Sequence, residues 1–174
     1  MRKLTISSQA RLKLWSLLLI VVFCILEVTI LNYFRIFGVK PDLFLIFMLL
    51  TSIVFTFELK WALFFSIFAG ILKDSLVINT FGINTLLFPL WSFLIIRLSR
   101  NILIESNFIY ALLIAIVAIL HDMAARMILL SLGNFIPLVV FLRIMFLESF
   151  YTALILPLVF RLAQPVFTLL HKFK

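Results

Sequence analysis

Charged residues are scarce in this sequence, and their scarcity decides the class of protein. Only 13% of the 174 residues are charged, whereas 66% are hydrophobic. Soluble domains have about a quarter charged residues and roughly 45–50% apolar ones, and a folded chain of this size still exposes roughly a third of its surface. A water-soluble domain is therefore excluded. We predict a polytopic, all-α integral membrane protein that forms a single transmembrane domain over residues 1–174.

Cysteine, histidine and glycine are also rare, and each shortage excludes a kind of site. The lone Cys24 cannot form a disulfide within the chain. His121 and His171 are the two histidines, and their separation excludes the paired-histidine zinc motif. The four glycines are scattered, so no glycine-rich nucleotide loop is present. We therefore expect no enzymatic activity, no metal and no cofactor.

Apolar runs follow one another along the chain and predict about six membrane helices. A bilayer core of about 30 Å is crossed by roughly 20 residues of α-helix. The connections between the runs are short, so successive helices are expected to be antiparallel neighbours. Pro89 and Pro157 are predicted to kink the fourth and the sixth helix. The predicted helices lie near 14–31, 43–57, 61–78, 83–98, 108–132 and 143–162.

The distribution of lysine and arginine predicts the orientation of these helices. With both termini in the cytoplasm, ten basic residues fall on the inner side and three on or near the outer side. This excess follows the positive-inside rule of membrane proteins. An even number of crossings agrees with it, because both termini then lie on the same side. We predict an N-in, C-in topology.

Ionisable residues inside the predicted spans are the main candidates for function, because each costs at least about 2.5–3.5 kcal/mol to insert. Asp122 and Arg126 are four residues apart, a spacing that permits an ion pair on one helix face. Lys73 points about 100° away from Asp74 and is expected to snorkel toward the outer interface. All are expected in the outer half of the bilayer: Glu27, Lys73, Asp74, His121, Asp122, Arg126 and Glu148.

These intramembrane charges allow two main interpretations. In the first, they satisfy one another and fix the order of the helices, with Gly70 letting a neighbouring helix approach beside Asp74. In the second, they line a polar, outward-facing cavity that binds a solute or a partner segment. A proton or ion relay is a third, but the inner half has no ionisable residue to continue the path. The candidate residues for either role are Glu27, Asp74, Asp122, Arg126 and Glu148.

Short motifs between residues 40 and 84 resemble the rod shape-determining MreD family. Lys40-Pro41-Asp42-Leu43 resembles the Pro-Asp-Leu entry to that family's second helix, and Gly-x-x-x-Asp near the end of the third helix is followed by a glycine that opens the fourth. Asp122 falls where members often carry an acidic residue, whereas Lys73 departs from the apolar or amide residue expected there. The residues that match the motifs are Pro41, Asp42, Gly70, Asp74 and Gly82.

The resemblance implies a function that the residues alone do not. Members of the family are non-enzymatic scaffolds of the elongasome in the bacterial inner membrane, where peptidoglycan synthesis sets cell shape. The implied partners are MreC directly, and MreB and the cell-wall synthases indirectly. The family is also similar in fold to the substrate-binding S-components of energy-coupling-factor transporters, which implies a solute-binding component as the alternative function. Fold similarity alone does not transfer that function.

Overall fold

The computed structural model describes residues 2–29, 33, 38–76, 82–101, 107–133 and 137–171, and within them the chain is all-helical. No strand occurs in these ranges. The predicted ends Ile30–Leu31 and residues 77–78 lie outside the described part. The helices are α1 (Arg2–Val28), α2 (Leu43–Val54), α3 (Leu59–Leu76), α4 (Ile83–Asn101), α5 (Asn107–Ser131) and α6 (Leu138–His171).

The first and last helices are longer than their apolar runs. Helix α1 begins at Arg2, where residue 14 was predicted, and α6 covers Leu138–His171, where 143–162 was predicted. Hydrophobicity marks only the segment that is compatible with lipid, whereas the intrahelical hydrogen bonds continue into the flanking residues. Helix α2 is shorter than predicted, because the chain turns at Phe55 after the last helical residue, Val54.

Helix α2 is the centre of the bundle. Every residue from Leu43 to Ser52 is buried, and α2 packs against each of the other five helices. Its sequence is apolar on all sides, which is the pattern of a helix enclosed by others. Twelve residues extend for about 18 Å at 1.5 Å per residue. The helix is therefore shorter than the hydrocarbon core of a bilayer, which is about 30 Å thick.

Helices α3 and α4 approach each other most closely at Gly70. A Cβ atom at this position would lie 2.6 Å from both the carbonyl oxygen of Asn84 and the Cα of Thr85. Ala62, Ser66 and Ala69 are buried on the same helix. Small side chains of this kind allow two helix backbones to approach closely, so that van der Waals packing holds them together.

The outer surface of the bundle is apolar. In α1 and α6, residues three or four positions apart form exposed stripes of large hydrophobic side chains, namely Leu14, Leu18, Val21 and Ile25, and Phe146, Phe150, Leu154 and Leu158. By length and composition, the segments Leu112–Ser131 and Leu138–Val159 could each cross a membrane, and only 28% and 17% of their windows are buried. Contiguous apolar surface of this extent marks contact with lipid or with another protein.

Gly70→Ala is expected to lower the stability of the protein. The new methyl group would meet backbone atoms of Asn84 and Thr85, which cannot move aside as a flexible side chain can, so the cost is about 1–3 kcal/mol. Thermal unfolding of the detergent-solubilised protein measures the effect. Ile71→Ala, which alters an exposed side chain on the next position of α3, is the control. Equal melting temperatures for Gly70→Ala and wild type would contradict the close approach.

Candidate functional site: a polar cluster around the start of α2

The first turn of α2 is capped by two carboxylates. Asp42 is the N-cap residue, and its Oδ1 accepts a hydrogen bond of 3.0 Å from the backbone N–H of Leu45. The Oε2 of Glu27, on α1, lies 3.4 Å from the backbone nitrogen of Leu43 and accepts its hydrogen bond. A buried helix start has unpaired N–H groups and a positive dipole end, and a carboxylate satisfies both.

Two lysines neutralise these two carboxylates. Lys40 Nζ lies 2.7 Å from Glu27 Oε1, and Lys73 Nζ forms an ion pair and hydrogen bond with Asp42 Oδ2. The Lys73 ammonium also lies 5.4 Å from the centre of the Phe88 ring. The expectation that Lys73 snorkels toward the outer interface is therefore wrong. Its side chain turns into the bundle because the buried carboxylate of Asp42 offers a stronger interaction than the membrane surface.

Helix α6 joins the same helix start through a hydroxyl group. The backbone N–H of Asp42 donates a hydrogen bond of 3.0 Å to Thr152 Oγ1. Thr152 is fully buried. The residues that surround the start of α2 thus come from α1, α3 and α6, and each supplies a different kind of partner.

Asp74 caps the next helix, α4. Its Oδ2 accepts hydrogen bonds from the backbone N–H of Gly82 (3.0 Å) and from the N–H (2.8 Å) and Oγ1 (2.6 Å) of Thr85. Its Oδ1 accepts from the N–H (3.1 Å) and the side-chain Nδ2 (2.8 Å) of Asn84. Gly82 has a φ of +88°, which L side chains rarely adopt. The Gly-x-x-x-Asp spacing therefore combines a close helix approach at Gly70 with a cap one turn later.

A hydrogen-bond chain extends from Asp74 to α5. Because Asn84 Nδ2 donates to the carboxylate of Asp74, its Oδ1 faces His121 Nε2 at 3.0 Å. An amide oxygen only accepts, so Nε2 must carry the proton. The imidazole ring centre lies 5.2 Å from that of Phe88. His121 is 2% exposed, and this chain fixes α5 against α4.

The acidic residues of α5 and α6 lie beside this network. Lys73 interacts electrostatically with Asp42, Glu148 and Asp122, and Glu148 also interacts with Glu27. We call the residues gathered here the polar cluster: Glu27, Lys40, Asp42, Lys73, Asp74, Asn84, His121, Asp122 and Glu148.

Arg126 was predicted to pair with Asp122. The structure places its guanidinium carbon 5.2 Å from the centre of the Phe141 ring on α6, and its side chain is buried. The pairing with Asp122 stays a prediction.

Sequence reasoning missed several residues in and directly beside the polar cluster. Lys40, Asn84, Thr85 and Thr152 were not candidates, and Asp42 was one only through the family motif. Their partners are distant along the chain: Thr152 binds a residue 110 positions away. The polar pair Asn84-Thr85, two residues after Gly82, was the available signal, because such residues favour helix starts. In the part of the chain that the structure describes, no three His, Cys, Asp or Glu side chains are grouped to hold a metal ion.

The opposite end of the bundle is held by a different contact. Lys13 Nζ lies 3.8 Å from Glu58 Oε2 and 4.0 Å from the centre of the Trp61 ring. Both contacts are partly exposed, so their contribution to stability is small. Glu58 is therefore a suitable control position for carboxylate substitutions in the polar cluster.

Asp74→Ala is expected to destabilise the protein by about 3 kcal/mol or more, because it leaves several buried donors of α4 without an acceptor. Asp74→Asn should cost less, since one side-chain oxygen remains. Thermal unfolding in detergent measures both, with Glu58→Ala as the control. A melting temperature of Asp74→Ala no lower than that of Glu58→Ala would refute the capping role.

Lys73→Met is expected to destabilise the protein by about 3–5 kcal/mol, because it leaves the Asp42 carboxylate buried without a counter-ion. Adding Asp42→Asn should recover most of this loss, since the amide oxygen can still cap Leu45. Unfolding of the two single variants and the double variant forms a double-mutant cycle. Additive losses in that cycle would mean that the two side chains are not coupled.

Comparison with known proteins gives the same family as the motif residues. The family model described as rod shape-determining protein MreD matches residues 9–166. No curated protein and no solved structure matches the chain. The match includes α2 to α5 in full, most of α1 and α6, and every residue of the polar cluster. The chain belongs to the MreD family of rod shape-determining proteins.

Proposed function

We propose that this protein is a multi-pass membrane scaffold of the bacterial cell-elongation machinery, which binds MreC and helps to organise peptidoglycan synthesis. Family membership indicates a role in determining rod shape, in a family of structural membrane proteins rather than enzymes. MreB and the cell-wall synthases are then indirect partners.

The observation that carries the scaffold proposal is how the carboxylates of the polar cluster are engaged. Asp42 and Asp74 each cap a helix start, and Glu27 is held by Lys40 and by the first turn of α2. Carboxylates that are occupied in this way hold helices in place. They give the bundle a fixed outer surface, which is what a scaffold offers to its partners.

The proposed topology has six crossings of the inner membrane with both termini in the cytoplasm. Two features support it: the apolar stripes on α1 and α6, and the excess of basic residues on one side. The polar cluster then lies on the outer side, and the contact between Lys13 and Glu58 on the inner side.

A solute-binding component of an energy-coupling-factor type transporter is the second candidate. The observation in its favour is that two buried polar atoms of α5, His121 Nδ1 and Asp122 Oδ2, have no hydrogen-bond partner. A small polar solute could satisfy them. Native mass spectrometry of the purified protein distinguishes the two functions, because a transporter component should retain a small molecule and a scaffold should not.

Co-purification tests the proposed function. The tagged chain, expressed with MreC of the same organism and extracted in mild detergent, should retain MreC after washing, and it should restore rod shape to cells depleted of their own copy. Asp74→Ala, which disrupts the packing of α4, should fail in both assays. If MreC is lost from a monodisperse, folded wild-type protein, the scaffold proposal is wrong.

A further inference from the structure

Five helices surround α2 and form the perimeter of the bundle. Helix α1 packs against α3 and α6, α3 against α4, α4 against α5, and α5 against α6, so the ring is closed. Because α2 is enclosed, only these five helices have a surface for lipid. We call α1, α3 and α4 the short side of the perimeter and α5 and α6 the long side, according to the length of exposed apolar surface on each.

The apolar surface of the short side is shorter than a bilayer core is thick. Among the described residues, the exposed large hydrophobic side chains extend over 14–28 on α1, 61–76 on α3 and 86–98 on α4. At 1.5 Å per residue these segments are about 21, 22 and 18 Å long, whereas the hydrocarbon core is about 30 Å thick. A tilt of these helices would shorten the distance that they span still further.

The long side matches the bilayer. Exposed large hydrophobic side chains extend over 112–130 on α5 and 138–158 on α6, which is about 27 and 30 Å of helix. The residues near the outer end of this hairpin are exposed and apolar, including Leu132 (66%), Leu138 (69%) and Val139 (79%). Such a surface is compatible with the acyl chains of the outer leaflet.

Hydrogen bonds fix the heights of the two sides relative to each other. Asn84 on α4 donates to Asp74 on α3 at 2.8 Å and faces His121 on α5 at 3.0 Å, so these three side chains lie at one level. Helix α3 ends two residues after Asp74, whereas α5 continues for ten residues after His121, about 15 Å further. The short side therefore ends at the level of the polar cluster, and the long side rises above it.

Long polar side chains can compensate for a short helix when they reach the headgroups, but those of the polar cluster are engaged inside the bundle. Lys73 pairs with Asp42, and Asp74 caps α4. Lys40 is held by Glu27. These contacts keep the charged groups about 8–12 Å below the outer boundary of a core of normal thickness. Adaptation of the bilayer is the other response to a short hydrophobic span.

We propose that the protein thins the outer leaflet by about 8–12 Å along the short side, while the leaflet keeps its full thickness along the long side. The partner of the short side is thus lipid with a thin hydrocarbon layer. Thinning lowers the headgroups to the level of the polar cluster, so that acyl chains do not have to cover its charged groups. The proposal rests on the proposed topology, in which the contact between Lys13 and Glu58 marks the inner end.

Two cysteines at the same height test the proposal. Leu76 on α3 and Met123 on α5 lie two residues beyond Asp74 and His121 respectively, and they are 40% and 46% exposed. In spheroplasts, with Cys24→Ala as the background, a membrane-impermeant maleimide should label Leu76→Cys about tenfold faster than Met123→Cys or more, because hydrocarbon disfavours the reactive thiolate. Equal rates, whether both cysteines react or neither does, would show that the short side is not thinned selectively.

Tyr33→Cys separates an error in the topology from an error in the thinning. Tyr33 follows α1 and is 90% exposed, and the proposed topology puts it outside. If Tyr33→Cys is labelled in spheroplasts but Leu76→Cys and Met123→Cys react alike, the thinning is wrong and the topology stands. If Tyr33→Cys reacts only after permeabilisation, the topology is wrong and the thinning falls with it. Retention of MreC tests the scaffold separately from both.

Bilayers of different thickness provide a second measurement. In nanodiscs of dimyristoleoyl, dioleoyl or dierucoyl phosphatidylcholine, the ratio of the labelling rates of Leu76→Cys and Met123→Cys should rise with acyl-chain length. Met123 becomes covered more deeply as the bilayer thickens, whereas Leu76 stays at the thinned edge. In the thinnest bilayer the ratio should approach unity. A ratio that does not depend on chain length would overturn the proposal.

Discussion

The start of α2 lies inside the bundle, and the N–H groups of its first turn need acceptors that water cannot supply there. Asp42 and Glu27 provide them, but two buried carboxylates are themselves costly without cations. Lys73 and Lys40 supply these cations, to Asp42 and Glu27 respectively. The arrangement of α1, α3 and α6 around α2 follows from this single requirement, because each contributes one of the groups or the Thr152 hydroxyl that completes the set.

Helix α4 repeats the same solution with different components. Asp74 accepts hydrogen bonds from the backbone N–H groups of Gly82, Asn84 and Thr85 at the start of α4, and Gly70 allows the two helices to approach closely there. Asn84 donates a hydrogen bond to Asp74, and its Oδ1 accepts one from His121. Helix α5 is therefore linked to the Asp74 carboxylate through the side chain of Asn84. Glu27, Asp42 and Asp74 therefore serve helix starts, whereas two buried acceptors of the polar cluster on α5, His121 Nδ1 and Asp122 Oδ2, have no hydrogen-bond partner.

Much of this could be predicted from the sequence, and the limits have physical causes. The all-helical fold and the family follow from the apolar runs and the motifs, and Gly70 was recognised as a point of close approach because glycine has few other uses inside a membrane helix. The direction of Lys73 was predicted wrongly, since helical periodicity gives an angle relative to Asp74 but not the identity of the neighbour on that side. The roles of Thr152 and Lys40 were not predicted, because the function of a hydroxyl group or a lysine depends on the partners that folding brings near it.

The shortness and complete burial of α2 also have a consequence for how the protein is made. Helices emerge from the ribosome in order, and α2 is followed first by α3, against which it packs most extensively, and only later by α4, α5 and α6. In the topology proposed above, twelve residues are too few to cross the bilayer core alone, so α2 and α3 are expected to leave the translocon together as a hairpin. The pair between Asp42 and Lys73 joins residues 31 positions apart, within that hairpin. The Asp42 carboxylate at the N-cap of α2 would thus be neutralised before the rest of the bundle has been synthesised.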